Sequence, residues 1–160
     1  MPDSRDGERV EIKHIPTPNI LIGEDNPDDV FFLERAFARS GAMARLYFVN
    51  DGQQVIDFLK SNDPFQDRSR YPFPDLLLLD LKMPRVSGLH VLGWLQAQPD
   101  LKKPPVVVLT GTAAPEEIKT AYALGADSCL MKPGDANLVP FVQNLQRDWL
   151  HHLLPASPVP

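Results

Sequence analysis

Leu76-Leu77-Leu78-Leu79-Asp80-Leu81-Lys82-Met83-Pro84 runs four leucines into an aspartate and closes on a proline three residues later. A short, wholly apolar run bounded by polar residues predicts a strand buried on both faces, the condition of a parallel strand covered by helices on each side. The pattern recurs along the chain. Ile20-Leu21-Ile22-Gly23 ends at Glu24 and Asp25, Val106-Val107-Val108-Leu109 at Thr110, and Cys129-Leu130-Met131 at Lys132. Parallel strands deliver their carboxyl ends to one edge of the sheet, where open α/β folds build their sites. Glu24, Asp25, Asp80, Thr110 and Lys132 are therefore expected to meet. Three carboxylates, a hydroxyl and an ammonium suit a divalent cation with a phosphoryl group: carboxylates hold the metal, while Lys132 and Thr110 bind phosphate oxygens.

Between these runs the sequence alternates strand and helix patterns, which predicts a doubly wound, five-stranded parallel sheet of the flavodoxin-like (βα)5 type. The first strand is placed at about 19–23, the second at 46–49, the third at 76–79 and the last at 128–131. Asn26 caps the first helix with Pro27 at its first position, Asp28 and Asp29 read as carboxylates at the positive end of the helix dipole, and Gly41 stops it. Val55 to Leu59 lies in the second helix, and 61–74, with Pro64, Pro72 and Pro74, is a long loop. Ser87 or Gly88 opens the third helix, and Pro115 opens the fourth, which Gly125 ends. Pro140 would break a helix capped at Asp135 but is harmless in the first turn of one capped at Asn137, so the cap is placed there. Leu138, Val142, Leu145 and Trp149 then face the sheet, leaving Phe141, Leu153 and Leu154 off that stripe for a partner. Residues 1–18 read as a mobile leader, 19–154 as the domain and 155–160 as a flexible tail with no output domain after it.

The 160 residues suffice for one domain. Apolar residues make up 43% and charged residues 23%, with a net charge of −5 and no basic run, so nucleic acid is not expected as a partner. Arg68 and Arg70 read as solvated loop charges. No stretch approaches the ~20 apolar residues of a membrane span, and the polar start is no signal peptide, which predicts a cytoplasmic protein. The lone Cys129 agrees with a reducing compartment and reads as a core residue. His14, His90, His151 and His152 lack metal-ligand spacing, Trp94 and Trp149 read as packing residues, and no glycine-rich phosphate loop is present.

The segments Ile-Gly-Glu-Asp-Asn-Pro (22–27), Leu-Asp-Leu-Lys-Met-Pro (79–84), Val-Leu-Thr-Gly (108–111) and Met-Lys-Pro (131–133), in this order, resemble the receiver domain of two-component response regulators. Glu-Asp-Asn-Pro-Asp-Asp at 24–29, Asn-Asp-Gly-Gln-Gln-Val-Ile-Asp-Phe-Leu at 50–59 and Asp-Trp-Leu at 148–150 look most like the single-domain regulators paired with phytochrome-type histidine kinases. The resemblance implies that Asp80 accepts a phosphoryl group from a kinase phosphohistidine. It also implies that Asp25, Asp80 and the backbone carbonyl of Lys82 bind Mg²⁺ (or Mn²⁺), with Glu24 in the outer sphere. Thr110, the amide after it at Gly111, and Lys132 would contact the phosphoryl group, with a cis Lys132-Pro133 bond aiming the lysine. Output would be a protein contact at the fourth and fifth strands and their helices, including a homodimer through the last helix.

The chain departs from the family pattern at three places. Cys129 stands where an aromatic usually reports phosphorylation, Gly23 precedes the acidic pair and is expected to loosen the first strand, and Lys82 and Thr112 occupy positions that tune dephosphorylation. Two rival readings are weaker. A haloacid-dehalogenase-type phosphotransferase needs Asp-x-Asp, whereas this chain has Asp80-Leu81-Lys82; a phosphorylation-independent binding module has no use for the intact acidic, hydroxyl and lysine set.

Overall fold

The computed structural model describes residues 17–150 apart from Ala113. Five parallel strands, β1 (Asn19–Gly23), β2 (Arg45–Val49), β3 (Leu76–Asp80), β4 (Val106–Thr110) and β5 (Ser128–Met131), form one sheet in the order β2-β1-β3-β4-β5. Helices α1 (Pro27–Ser40), α2 (Gly52–Lys60), α3 (Gly88–Gln96), α4 (Pro115–Ala123) and α5 (Leu138–Leu145) fill the crossovers. This is the doubly wound architecture expected from the alternation of patterns.

The four leucines of β3 show why a continuous apolar run was needed. Side chains alternate faces along a strand: Leu76 and Leu78 pack under α1 and α5 with Leu33, Phe37, Val142 and Leu145, while Leu77 and Leu79 pack under α2, α3 and α4 with Val55, Phe58, Leu92 and Ala121. All four are fully buried, each worth about 2 kcal/mol by area transfer. A polar residue on either face would leave one of these layers unfilled.

Local sequence sets the element ends. The Asn26 side chain accepts from the amide of Asp28, Asp51 from Gln54 and Ser87 from His90, each capping a helix start, and Gly41 (φ 70°) turns the chain out of α1. Gly88 permits the closest approach: a Cβ there would lie 2.3 Å from the Asp80 carbonyl oxygen. Only glycine lets the start of α3 lie against the end of β3.

Four expectations are corrected. Gly23 does not loosen β1, because a Cβ at that position would meet Val55 Cγ2 at 2.9 Å and Leu79 Cδ1 at 3.3 Å, so the glycine is what admits α2. Arg68 is no solvated charge: its guanidinium donates to the carbonyls of Phe58, Leu59 and Tyr71, closing the end of α2. Phe141 is buried in the α1/α5 layer rather than left for a partner. A π-helical turn (Gln146–Leu150) continues α5 and also buries Leu150, because the wider turn shifts which side chains face inward. Finally, Lys132-Pro133 is trans; among the described residues the cis bond is Asp63-Pro64. The Lys132 amide continues the sheet ladder to the Thr110 carbonyl at 2.9 Å, and the long side chain reaches the crevice without the bend. Asn137 does precede α5, without a side-chain capping bond. Leu153, Leu154, His14, His151, His152, the tail and most of the leader lie outside the described residues.

Candidate functional site

Register brings the strand ends level. Gly23 pairs with Leu79, Asp80 with Leu109, and Thr110 with Met131, so the residues that follow or close each strand share one edge. Glu24, Asp80 and Thr110 are buried there, at 1%, 4% and 5% exposure, whereas Asp25 is exposed. Oxygen atoms of Glu24, Asp25 and Asp80 lie within 4.8 Å of one another. Such a cluster of hard oxygen donors with one open side fits a small divalent cation that keeps part of its water shell. An open crevice beside it is lined by Asp25, Asn26, Asp80, Lys82, Thr110, Gly111, Thr112 and Lys132.

Lys132 is the hub. Its Nζ meets Asp29 Oδ2 at 2.8 Å, Glu24 Oε2 at 2.9 Å and Asp80 Oδ2 at 3.1 Å. Burial alone would discourage its charge, but the bonds to Asp29, Glu24 and Asp80 and the Asp80 charge hold the ammonium well above the ordinary lysine range. Glu24 goes the other way. Burial pushes its carboxyl up to about 7, and the Asp80 charge adds to that, against the pull of Lys132 and of the Asn26 amide, which donates to Oε1 at 3.1 Å.

Asp80 Oδ1 accepts from the Lys82 amide at 3.2 Å, which fixes the carboxylate at the mouth of the crevice. The Thr110 hydroxyl donates to the Thr112 carbonyl and accepts from the Thr112 amide at 3.2 Å, so it is engaged within its own loop rather than with Asp80. At Gly111 a Cβ would meet nothing within 4 Å, leaving that backbone open. All the residues expected at the site are therefore on this edge. Asp29 was missed: it reads as a helix-start carboxylate, yet it ion-pairs with a lysine 103 positions away. The remaining cue was its place in the first turn of α1, which begins directly after the strand end that carries Glu24 and Asp25.

Cys129 stands half-buried on β5, and burial pushes its thiol up despite a hydrogen bond with Tyr122. Tyr122 of α4 accepts the Cys129 amide on its phenol oxygen at 3.2 Å.

The profile of the response regulator receiver domain matches residues 20–142. The chain belongs to the response regulator receiver family. It is 31% identical over 144 residues to the response regulator Rcp1 of Synechocystis sp., covering 89% of this chain and 96% of that one. The Mn(2+)-bound form of Rcp1 superposes with a TM-score of 0.73, at 29% identity and 89% and 99% coverage. The response regulator RPA3017, in red light signaling of R. palustris, gives a TM-score of 0.79 at 32% identity, with 89% and 99% coverage. The phosphorylated cyanobacterial phytochrome response regulator RcpA gives 0.75 at 28%, with 90% and 100% coverage. The receiver is thus a two-component signalling protein related to phytochrome response regulators, and no helix among its described residues is long and apolar enough to cross a membrane.

Proposed function

We propose that this receiver accepts a phosphoryl group on Asp80 from a histidine kinase of a phytochrome-type pathway and signals by protein contact. The observation that carries the reading is the convergence of Lys132 on Asp80 beside the Glu24, Asp25 and Asp80 oxygen cluster. An Asp80 oxygen attacks phosphorus, the P–N bond of the phosphohistidine breaks, and the imidazole leaves with its electron pair. Asp25, Asp80 and the Lys82 carbonyl would hold Mg²⁺ or Mn²⁺, with Glu24 outside them; when bound, the metal offsets the charge of the incoming phosphoryl oxygens. Lys132 neutralises a further oxygen, and the amide of Gly111, which lines the crevice, would donate to another. Thr110 has to exchange its loop bonds to reach the group, which couples occupancy of Asp80 to the 110–112 loop. Lys82 and Thr112, on the crevice wall, govern the access of water to the acyl phosphate.

The pathway assignment is supported by the likeness to RPA3017, Rcp1 and RcpA. A cytoplasmic location fits a partner of this kind. For output, the groove between β5 and α5, lined by Ser128, Leu130, Met131, Asn144 and Trp149, is the face through which we place a homodimer, with exposed Met131 at its rim. Incubation with acetyl phosphate and Mg²⁺, followed by mass analysis, should add one phosphoryl group to the parent and none to Asp80→Asn. Equal labelling of both would dismiss the assignment.

A further inference from the structure

We propose that Asp29 is a positioning residue for Lys132 and the partner that the ammonium releases when a phosphoryl group arrives; this rests on phosphoryl acceptance at Asp80. A lysine ammonium has three N–H donors. Here three carboxylates already surround it, Asp29 at 2.8 Å, Glu24 at 2.9 Å and Asp80 at 3.1 Å. Nζ donates to Asp29 and Asp80 and is ion-paired with Glu24, so carboxylates enclose it on three sides and a phosphoryl oxygen reaches it by displacing one of them.

The three contacts differ in what their loss costs. The Glu24 side chain is fully buried, and without its cation it would be an uncompensated carboxylate in a low-dielectric pocket. Asp80 itself carries the incoming group. The Asp29 side chain is 26% exposed and sits in the first turn of α1, where water and the positive end of the helix both accommodate a freed carboxylate. Asp29 is also outside the Glu24, Asp25 and Asp80 oxygen cluster, so releasing it does not disturb the metal position. Asp29 therefore stabilises the empty site, holding Lys132 in reach of Asp80 while competing with the phosphoryl group for it.

Calorimetric titration of the full chain with beryllofluoride at saturating Mg²⁺ tests the exchange on the parent, Asp29→Asn, Asp29→Glu and Asp28→Asn. Removing the competitor should make Asp29→Asn bind roughly three- to tenfold more tightly, the scale of a partly exposed, charge-assisted contact. Asp29→Glu, which keeps the charge, should stay near the parent. Asp28→Asn removes an exposed charge from the same turn and should differ little, which separates the lysine contact from a general charge effect. In the parent, the carboxyl carbon resonance of Asp29 should move on loading toward that of a solvated aspartate, while that of Asp28 stays. Unchanged or weaker binding by Asp29→Asn, an equal gain from Asp28→Asn, or a stationary Asp29 resonance would each overturn the exchange, provided the parent binds. A parent that takes up no beryllofluoride overturns the acceptor reading, and the exchange with it.

Discussion

The two ends of the sheet use aspartates in opposite ways. At the amino end, each carboxylate serves a strand amide. Asp75 Oδ2 accepts from Asn19 at 2.8 Å, and Asp127 Oδ2 accepts from Val106 at 2.7 Å, while the Asp127 amide donates to the Val106 carbonyl. At the carboxyl end, Glu24, Asp25, Asp29 and Asp80 crowd together, and Lys132 is the ammonium that three of them share. Carboxylates matched one to one with backbone donors complete a fold. Carboxylates in excess of nearby positive charge raise the free energy of the empty site, and a cation recovers it.

The largest difference expected between the two ends is chemical. Asp80→Asn keeps the shape of the carboxyl end and removes the nucleophile, so labelling by acetyl phosphate should fall to background, whereas Asp75→Asn should label like the parent. Loss of labelling in both would mean that the ends are not functionally separate. Next in size is Asp25→Asn. Its exposed carboxylate leaves the core untouched, so the fold should melt near the parent temperature while Mg²⁺ affinity drops by about tenfold or more. Superimposable Mg²⁺ titrations would remove Asp25 from the metal position.

Most of this contrast was legible in the sequence, and the part that was not has a common cause. Leu76–Leu79 with Asp80, and Val106–Leu109 with Thr110, carry their own statement of strand, burial and exit point, because a residue closing a doubly covered strand has one edge to go to. Asp29, Arg68 and Gly23 carry no such statement. Asp29 and Asp28 are chemically alike and adjacent, and only the trajectory of Lys132 from β5 distinguishes them. The partners of Arg68 are backbone carbonyls, to which side-chain patterns are blind. Gly23 reads as a weak strand former until the Val55 methyl of α2 is placed 2.9 Å from where its Cβ would stand. Phe141 was misassigned for a related reason: the inward stripe was read from Leu138, Val142, Leu145 and Trp149 alone, whereas the face of α5 packed in the α1/α5 layer is wide enough to bury Phe141 as well.

A smaller effect follows from Glu24. Its carboxyl is held up to about 7, against an ordinary value of 4.5, chiefly by burial. Between those values the folded, metal-free chain keeps a proton that the unfolded chain has released, so its stability falls as pH rises from about 4.5 to about 7. Metal binding favours the ionised form and works against that proton. Mg²⁺ affinity should therefore climb as pH is raised toward about 7 and level off above it, and Glu24→Gln should flatten the climb. An equally steep profile in Glu24→Gln would assign the proton to another group.

The smallest expected effect belongs to the amino end and is confined to stability. In Asp127→Ala the Val106 amide loses its carboxylate acceptor at the start of β4, on the flank of the sheet between β3 and β5. Losing one charge-assisted bond to a part-buried amide should cost about 1–2 kcal/mol, read as an earlier midpoint in urea with an unchanged slope. Thr110, at the other end of β4, is held by its own ladder partners and by the Thr112 backbone, so labelling at Asp80 and beryllofluoride affinity should match the parent. A fall in phosphoryl affinity alongside the loss of stability would show that strain at the start of β4 reaches its end. Strand β4 would then have to be treated as a rigid rod linking the two edges, rather than as a wall between a structural end and a chemical one.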